Sequence, residues 1–265
     1  MPRATPQPKP AVAPAHHPHN LYVGTSGWAY PTWKPGFYPE GTPARSFLQH
    51  YASRLSSVEV NYTFRSLPTA KQLEGWLDAT PAGFRFAFKA PQRITHFQRL
   101  HESQDSVAKF IESLAPVRAA GKLGPLLFQL PPNFAADAKD NQARLASFLG
   151  MKPLADKALR LAFEFRHASW FTETTYATLR QHNAALCIAE SDDLATPDIA
   201  TANFRCYRLR RDGGYTPTEI KRFAGRFTKL AADAEVYAYF KHEEEPTGAL
   251  NAAALLAAAT KAGTR

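Results

Sequence analysis

From Leu21 onward the chain alternates between short runs in which apolar residues are contiguous or occupy every second position and longer stretches with apolar residues three and four apart. The first pattern is that of strands, the second that of amphipathic helices. Strand character falls in LYVGTSGW (21–28), SSVEVNYTF (56–64), FRFAFKA (84–90), GPLLFQLPP (124–132), LRLAFEFRH (159–167), AALCIAE (184–190), FRCYRLRR (204–211) and EVYAYFKH (235–242). Between them the clearest helices are TPARSFLQHYASRL, SQDSVAKFIESLAPVRAAGK with Ser103 as its cap, TETTYATLRQHN opening at Thr172 or Glu173, TPTEIKRFAGRFTKLAADA with a Thr-Pro entry, and GALNAAALLAAATKA. The connection from Ser191 to Asn203 is too short and too Pro-broken for a full helix.

Eight strand-helix pairs imply parallel strands joined by right-handed crossovers, and closing the sheet removes its edges. The pattern therefore predicts an α/β fold, a single-domain (β/α)₈ TIM barrel over residues 21–265. The runner-up, an open doubly wound sheet, lacks a Gly-rich phosphate turn after its first strand. In a barrel the helix-facing strand positions are apolar, so polar residues at alternate positions point inward. Phe163 and Phe165 then face the helices, while Glu164 and Arg166 face the interior.

The inward polar residues gather late in their strands, at the end where barrel active sites lie. Strand one offers Ser26 and Trp28, and strand two Glu59, Asn61 and Thr63 on one face. Lys89 ends strand three, Gln129 precedes the two prolines of strand four, and Glu164 and Arg166 close strand five. Glu190, the pair Arg208 and Arg210, and the pair Tyr239 and Lys241 follow on strands six to eight.

Composition adds a bias rather than a function. The 265 residues, 45% of them hydrophobic, suffice for one sizeable core. The formal charge is +9, of which Arg3 and Lys9 contribute two units in the first twenty residues, leaving an excess that favours small anions or nucleic acid. The opening MPRATPQPKPAVAPAHHPHN is read as a disordered Pro/Ala-rich tail over residues 1–20, its HHPH cluster an incidental one. Two cysteines without CxxC spacing, Cys187 and Cys206, are packing residues of a reducing compartment. With no membrane-length apolar run and no signal-type N-terminus, a cytoplasmic protein without a membrane partner is expected.

The segments GTSGW, VEVNYTF, FAFKAPQRITH, GPLLFQLPP, AFEFRHASWF and, more loosely, GALNAAAL carry a resemblance. In this order they resemble the YecE-like family, a domain of unknown function. The resemblance implies a TIM barrel and an activity without an assigned reaction. It also implies shared polar positions at Ser26, Trp28, Glu59, Asn61, Lys89, His96, Gln129, Glu164, Arg166, His167 and Trp170. The chain departs where relatives show RLHG-like and YFNN-like strand ends; here they read RLRRDGGY and YFKHEEEPTG, so that Arg210, Lys241 and His242 give a more basic pocket.

The leading expectation is an enzyme binding a small anionic substrate, a phosphorylated sugar or nucleotide, at the C-terminal face of the barrel. Glu59 and Glu164 are candidates for proton transfer and Lys89 for catalysis; Ser26, Trp28, Asn61, His96, Gln129, Arg166, His167, Arg208, Arg210 and Lys241 are candidates for substrate binding. Arg208, Arg210 and Lys241 fall at the ends of strands seven and eight, a recurrent phosphate locus, where the Arg fork suits phosphate. Lys89 is suited to imine chemistry only if desolvated, and two nearby glutamates favour a protonated charge partner instead. Glu59 and Glu164 alternatively form an inward ion-pair network with Lys89 and Arg166, or a hydrolytic carboxylate pair. His167 otherwise caps a loop carbonyl, and Arg210 and Arg211 otherwise reach Glu243, Glu244 or Glu245.

No cofactor motif is present. A divalent metal is admitted by Glu59, Glu164, Glu190, His96, His167 and His242 but supported by no ligand spacing, which leaves a metal-dependent hydrolase or isomerase as an alternative. The other alternative is a protein that binds or processes nucleic acid, suggested by the basic balance beside Trp28, Tyr30, Trp33, Tyr62 and Trp170; several of these aromatics otherwise close the barrel mouth on nearby prolines.

Overall fold

Alternation of apolar and polar positions becomes a closed ring of strands in the computed structural model, which describes residues 18–138, 140–190, 194–241 and 244–263. Most of the tail read over residues 1–20, together with His242 and Glu243, lies outside the described residues. The strands are β1 (Leu21–Thr25), β2 (Ser57–Val60), β3 (Arg85–Lys89), β4 (Leu123–Gln129), β5 (Leu161–Glu164), β6 (Ala185–Glu190), β7 (Phe204–Leu209) and β8 (Glu235–Phe240). All seven laddered pairs are parallel, in the order β1-β8-β7-β6-β5-β4-β3-β2. The chain is a TIM-barrel-like single domain.

The eighth seam, between β1 and β2, is joined by a backbone bond and by side chains. Ser56 N donates to Val23 O at 3.2 Å and Val23 N to Ser56 Oγ at 2.9 Å. The Tyr51 hydroxyl donates to Ser57 O at 2.9 Å and accepts from Thr25 N at 2.8 Å, standing in for a backbone rung. Gly24 makes the approach possible: a Cβ there would lie 1.8 Å from Ser57 O. At the top of the seam Ser26 bridges to Glu59.

The helices are α1 (Phe47–Arg54), α2 (Ala70–Asp78), α3 (Gln104–Ser113), α4 (Ala115–Ala119), α5 (Asn141–Leu149), α6 (Glu173–Gln181), α7 (Pro217–Ala231) and α8 (Thr247–Gly263). Thr216 and Glu219 form a reciprocal capping box on α7, as Thr69 and Gln72 do on α2. Thr172 caps α6 by accepting from Thr175 N. Ser103 stands at the start of α3, but its buried hydroxyl makes no cap bond, a correction to the expected cap.

Two apolar layers result. Leu21, Val23, Phe86, Phe88, Phe128, Phe163 and Phe240 pack outward against the helices. Tyr22, Ala87, Leu127, Ala162, Ala185, Cys187, Phe204, Cys206, Tyr237 and Tyr239 fill the interior. The interior alanines leave room for Tyr22 and Tyr237, stacked at 4.8 Å near the bottom of the barrel. One pleat above this filling the inward positions turn polar.

β2 ends at Val60, before Asn61 and Thr63, which were expected to continue its inward face. Residues Tyr62–Phe64 instead make a 3₁₀ turn, and the Thr63 hydroxyl donates to Lys89 O at 2.7 Å, pinning that turn to the end of β3.

Candidate functional site

The top interior layer is organised by Arg208 on β7. The residue is 1% exposed, and its guanidinium donates from Nε and Nη2 to the two oxygens of Glu59 at 2.9 and 2.7 Å and from Nη1 to Glu164 Oε2. One cation thus joins β2, β5 and β7. Glu59 Oε1 also accepts from Ser26 Oγ at 2.9 Å, and Glu164 Oε1 accepts from Gln129 Nε2 at 2.8 Å and Arg166 Nε at 3.0 Å. Burial pushes both carboxyls up, but Arg208 outweighs it: Glu59 is held below its ordinary range and Glu164 falls to about 2.

This arrangement changes several sequence expectations. Arg208, placed in the phosphate locus, lies beneath the mouth with three nitrogens engaged by carboxylates. The partner of Glu59 is Arg208, where Lys89 had been expected. Two carboxylates held as anions by one guanidinium do not match a hydrolytic pair, which needs one raised acid.

Lys89 ends β3 with its ammonium 4.0 Å from the centre of the Phe64 ring. Desolvation, together with the charge of Arg208, lowers its pKa to about 8 against the opposing pull of Glu59 and Glu164. Glu59 and Glu164 pull the Lys89 pKa up, but burial and Arg208 outweigh them; near 8, Lys89 still carries its proton for most of the population at pH 7. His96 meets the same Phe64 ring edge-on at 5.0 Å, and its Nδ1 pairs with Thr95 Oγ1 at 2.8 Å. Desolvation, with Lys89, Arg166 and Arg99 nearby, lowers the His96 pKa, so that the ring is neutral at pH 7.

Arg210 follows β7 at the rim. Its Nη1 donates to Ser26 Oγ at 2.8 Å, and among the described residues no carboxylate pairs with it. Burial and neighbouring Arg208 lower its pKa to about 10. Arg166, 46% exposed, reaches back to Glu164 across the opening. Together with Glu164 they line a cavity of about 200 Å³ completed by Pro132, Phe165, Ala189, Leu194 and Thr196. Among the described residues the buried Thr196 hydroxyl has no hydrogen-bond partner, and nothing in the sequence marks it because its Pro-broken segment carries no motif.

The remaining candidates frame the site. Lys241 pairs with Asp212, and Arg211 reaches Glu190 and Glu219 at 2.5 Å each; of the acidic run expected as its partner, Glu243 lies outside the described residues. His167 Nδ1 accepts from Ser169 N at 3.3 Å, capping a loop amide where a carbonyl had been expected. Trp28 meets Trp76 edge-on at 5.2 Å, and the buried Asn61 Oδ1 has no partner among the described residues. Trp33 and Trp170 are fully buried; Trp170 Nε1 donates to Phe134 O at 2.6 Å, tying the β4 and β5 loops together. Among the described residues no three His, Cys, Asp or Glu side chains converge as a metal cage. None of the described helices is long and apolar enough to cross a membrane.

A parallel barrel with a buried Glu-Arg-Glu cluster beneath a cationic rim defines a TIM-barrel-like protein with a charged mouth. The chain belongs to the family described as Protein of unknown function DUF72, whose profile matches residues 22–265. It is 33% identical over 160 residues to UPF0759 protein YunF of Bacillus subtilis, covering 59% of this chain and 54% of that protein. It is 31% identical over 115 residues to UPF0759 protein YecE of Escherichia coli K12, covering 43% and 39% respectively. The matched regions thus span about half of those proteins or less. A DUF72 family crystal structure from Thermotoga maritima superposes with a TM-score of 0.75 at 25% identity, covering 92% of this chain and 99% of that one. One from Enterococcus faecalis gives 0.70 at 19%, covering 92% and 96%, a likeness of fold.

Proposed function

We propose that the barrel mouth binds a small anionic substrate, a phosphorylated sugar or nucleotide, as the seat of an enzymatic reaction. The observation that carries this reading is the charge balance: Lys89, Arg166, Arg208 and Arg210 set four cations against the two carboxylates Glu59 and Glu164. Arg208 is consumed below. Among the described residues Arg210 is a desolvated cation bonded to a hydroxyl and to no carboxylate, and Arg166 can turn from Glu164 towards an incoming anion. A cavity of about 200 Å³ admits a small molecule rather than a polymer. Glu164, fixed as an anion, orients Arg166 and is excluded as a general acid.

The test is a thermal-shift screen of inorganic phosphate, sugar phosphates and nucleoside phosphates against the wild type, Arg166→Ala and Arg210→Ala. A phosphorylated ligand stabilises the wild type, and each substitution weakens it roughly tenfold or more, as loss of a charge-assisted contact of about 1.5–3 kcal/mol requires. Unchanged binding of every phosphorylated ligand in both variants would overturn the reading.

A second reading rests on a groove of about 510 Å³ whose lining includes Arg65, Arg93 and Lys109 together with Glu102 and Asp105, and on Phe97, 71% exposed on the π turn Arg93–Phe97 and next in sequence to the lining residue Gln98. An exposed aromatic on a turn that also carries an arginine suits stacking of a single-stranded base. Salt-titrated binding of single and double strands tests it, and absence of affinity at low salt removes it.

A further inference from the structure

Lys89 is the inward cation of the mouth whose role the anion seat leaves open. Its ammonium lies on the Phe64 ring, and among the described residues no carboxylate or carbonyl hydrogen-bonds it. Phe64 is itself placed by the 3₁₀ turn Tyr62–Phe64, which the Thr63 bond to Lys89 O locks against β3. The same ring carries His96 on its edge, so the amine and the imidazole flank one aromatic wall. Thr95 occupies Nδ1 of that imidazole, and Nε2 has no hydrogen-bond partner among the described residues. Lys89 lies outside the lining of the anion cavity, but Arg166 and Glu164 line that cavity and act electrostatically on Lys89.

We infer that Lys89 is a nucleophile that forms an imine with the carbonyl carbon of a small anionic aldehyde or ketone, its anionic group held by Arg166 and Arg210 and its protons exchanged with His96. The inference rests on the anion-seat reading and names the substrate class of that site. In the forward step the Lys89 nitrogen lone pair forms a bond to the carbonyl carbon. The carbonyl oxygen takes a proton, and the carbinolamine that results loses its hydroxyl and a proton as water. The net change is amine plus carbonyl to imine plus water, with no oxidant or reductant. A cation on an aromatic face, unlike one in a salt bridge, surrenders its proton without leaving a buried carboxylate unpaired, and the lowered basicity of Lys89 is consistent with this. Neutral His96 is in the state needed to accept that proton.

The full chain is incubated at pH 7 with glyceraldehyde 3-phosphate, or with uncharged glyceraldehyde, reduced with borohydride and mapped by peptide mass spectrometry. Lys89 is expected to carry the phosphorylated adduct on the order of tenfold above a surface lysine, because the roughly two orders of magnitude more free base at pH 7 of an amine near pKa 8 is partly offset by its lower nucleophilicity. K89R, which keeps the cation, removes this adduct alone; R210Q and excess inorganic phosphate lower it; H96Q slows its formation. Labelling of Lys89 no greater than at surface lysines, while phosphate still raises the melting temperature, overturns the imine and leaves the anion seat standing. Equal labelling by both aldehydes, with no thermal shift from phosphate, overturns the anion seat and retains the imine.

Discussion

Arg208 satisfies two buried carboxylates with three nitrogens, and each carboxylate has further donors: Ser26 for Glu59, Gln129 and Arg166 for Glu164. Removing one partner of such a buried set is costlier than the set is stabilising, because it strands a charge. Arg208→Met is expected to lower the melting temperature by roughly 6–20 °C, from a loss of about 3–5 kcal/mol at a few degrees per kcal/mol. Glu164 titrates near 2 in the fold against an ordinary 4.5, so its contribution is fully present above pH 4.5 and is lost as the pH falls towards 2. Acid denaturation monitored by circular dichroism should therefore begin in that window, and E164Q should flatten the dependence there. Lys89 runs the other way. Its lowered pKa makes the folded state gain stability as pH rises from 8 towards 10.5, and K89M is expected to raise stability at pH 7 by on the order of 1–2 kcal/mol, read by denaturant melts, while abolishing any imine.

At the scale of elements, the Tyr51 hydroxyl supplies one rung of the β1/β2 seam. Tyr51→Phe leaves Thr25 N and Ser57 O without their bridge, a loss of about 1–3 kcal/mol, with faster hydrogen exchange at the Thr25 amide as the local reading. The strands were legible because period-two alternation and an enclosed interior leave little choice of face: Phe163 outward and Glu164 inward follow from the pleat alone. Thr69-Ala-Lys-Gln was a readable capping box for α2 that the apolar pattern around it overshadowed. α5 opens on Asp140 in a left-handed conformation with no side-chain cap, so its start carries no local signal. The strand end at Val60 was missed because Asn61, Tyr62 and Thr63 keep the alternation while the backbone turns.

For the whole molecule, the sequence marked Glu59, Glu164, Lys89 and Arg208 as inward but not who meets whom. The choice of Arg208 over Lys89 as the partner of Glu59 is made across the barrel, between β2 and β7, where no sequence spacing operates. Depth is also invisible locally: Arg208 and Arg210 are two residues apart, yet one is sealed beneath the mouth and the other stands at its rim. The same enclosure governs Cys187 and Cys206, paired in register on β6 and β7 with sulfurs 3.6 Å apart and both buried. A thiol reagent should leave both unmodified in the native protein and react only as the barrel opens, so modification kinetics should track denaturant-induced unfolding measured by fluorescence.

The sealed position of Arg208 has a last consequence, for the speed at which an anion arrives. Because Glu59 and Glu164 are held as anions and Arg210 keeps a pKa of about 10, the field at the opening is set by the fold near neutral pH and weakens as Lys89 loses its proton around 8. At about 0.15 M salt that field reaches roughly 8 Å into the solvent, so an anion crossing the opening is steered before it touches any side chain. Added salt should slow its capture while leaving its escape, which depends on the contacts it has already made, nearly unchanged.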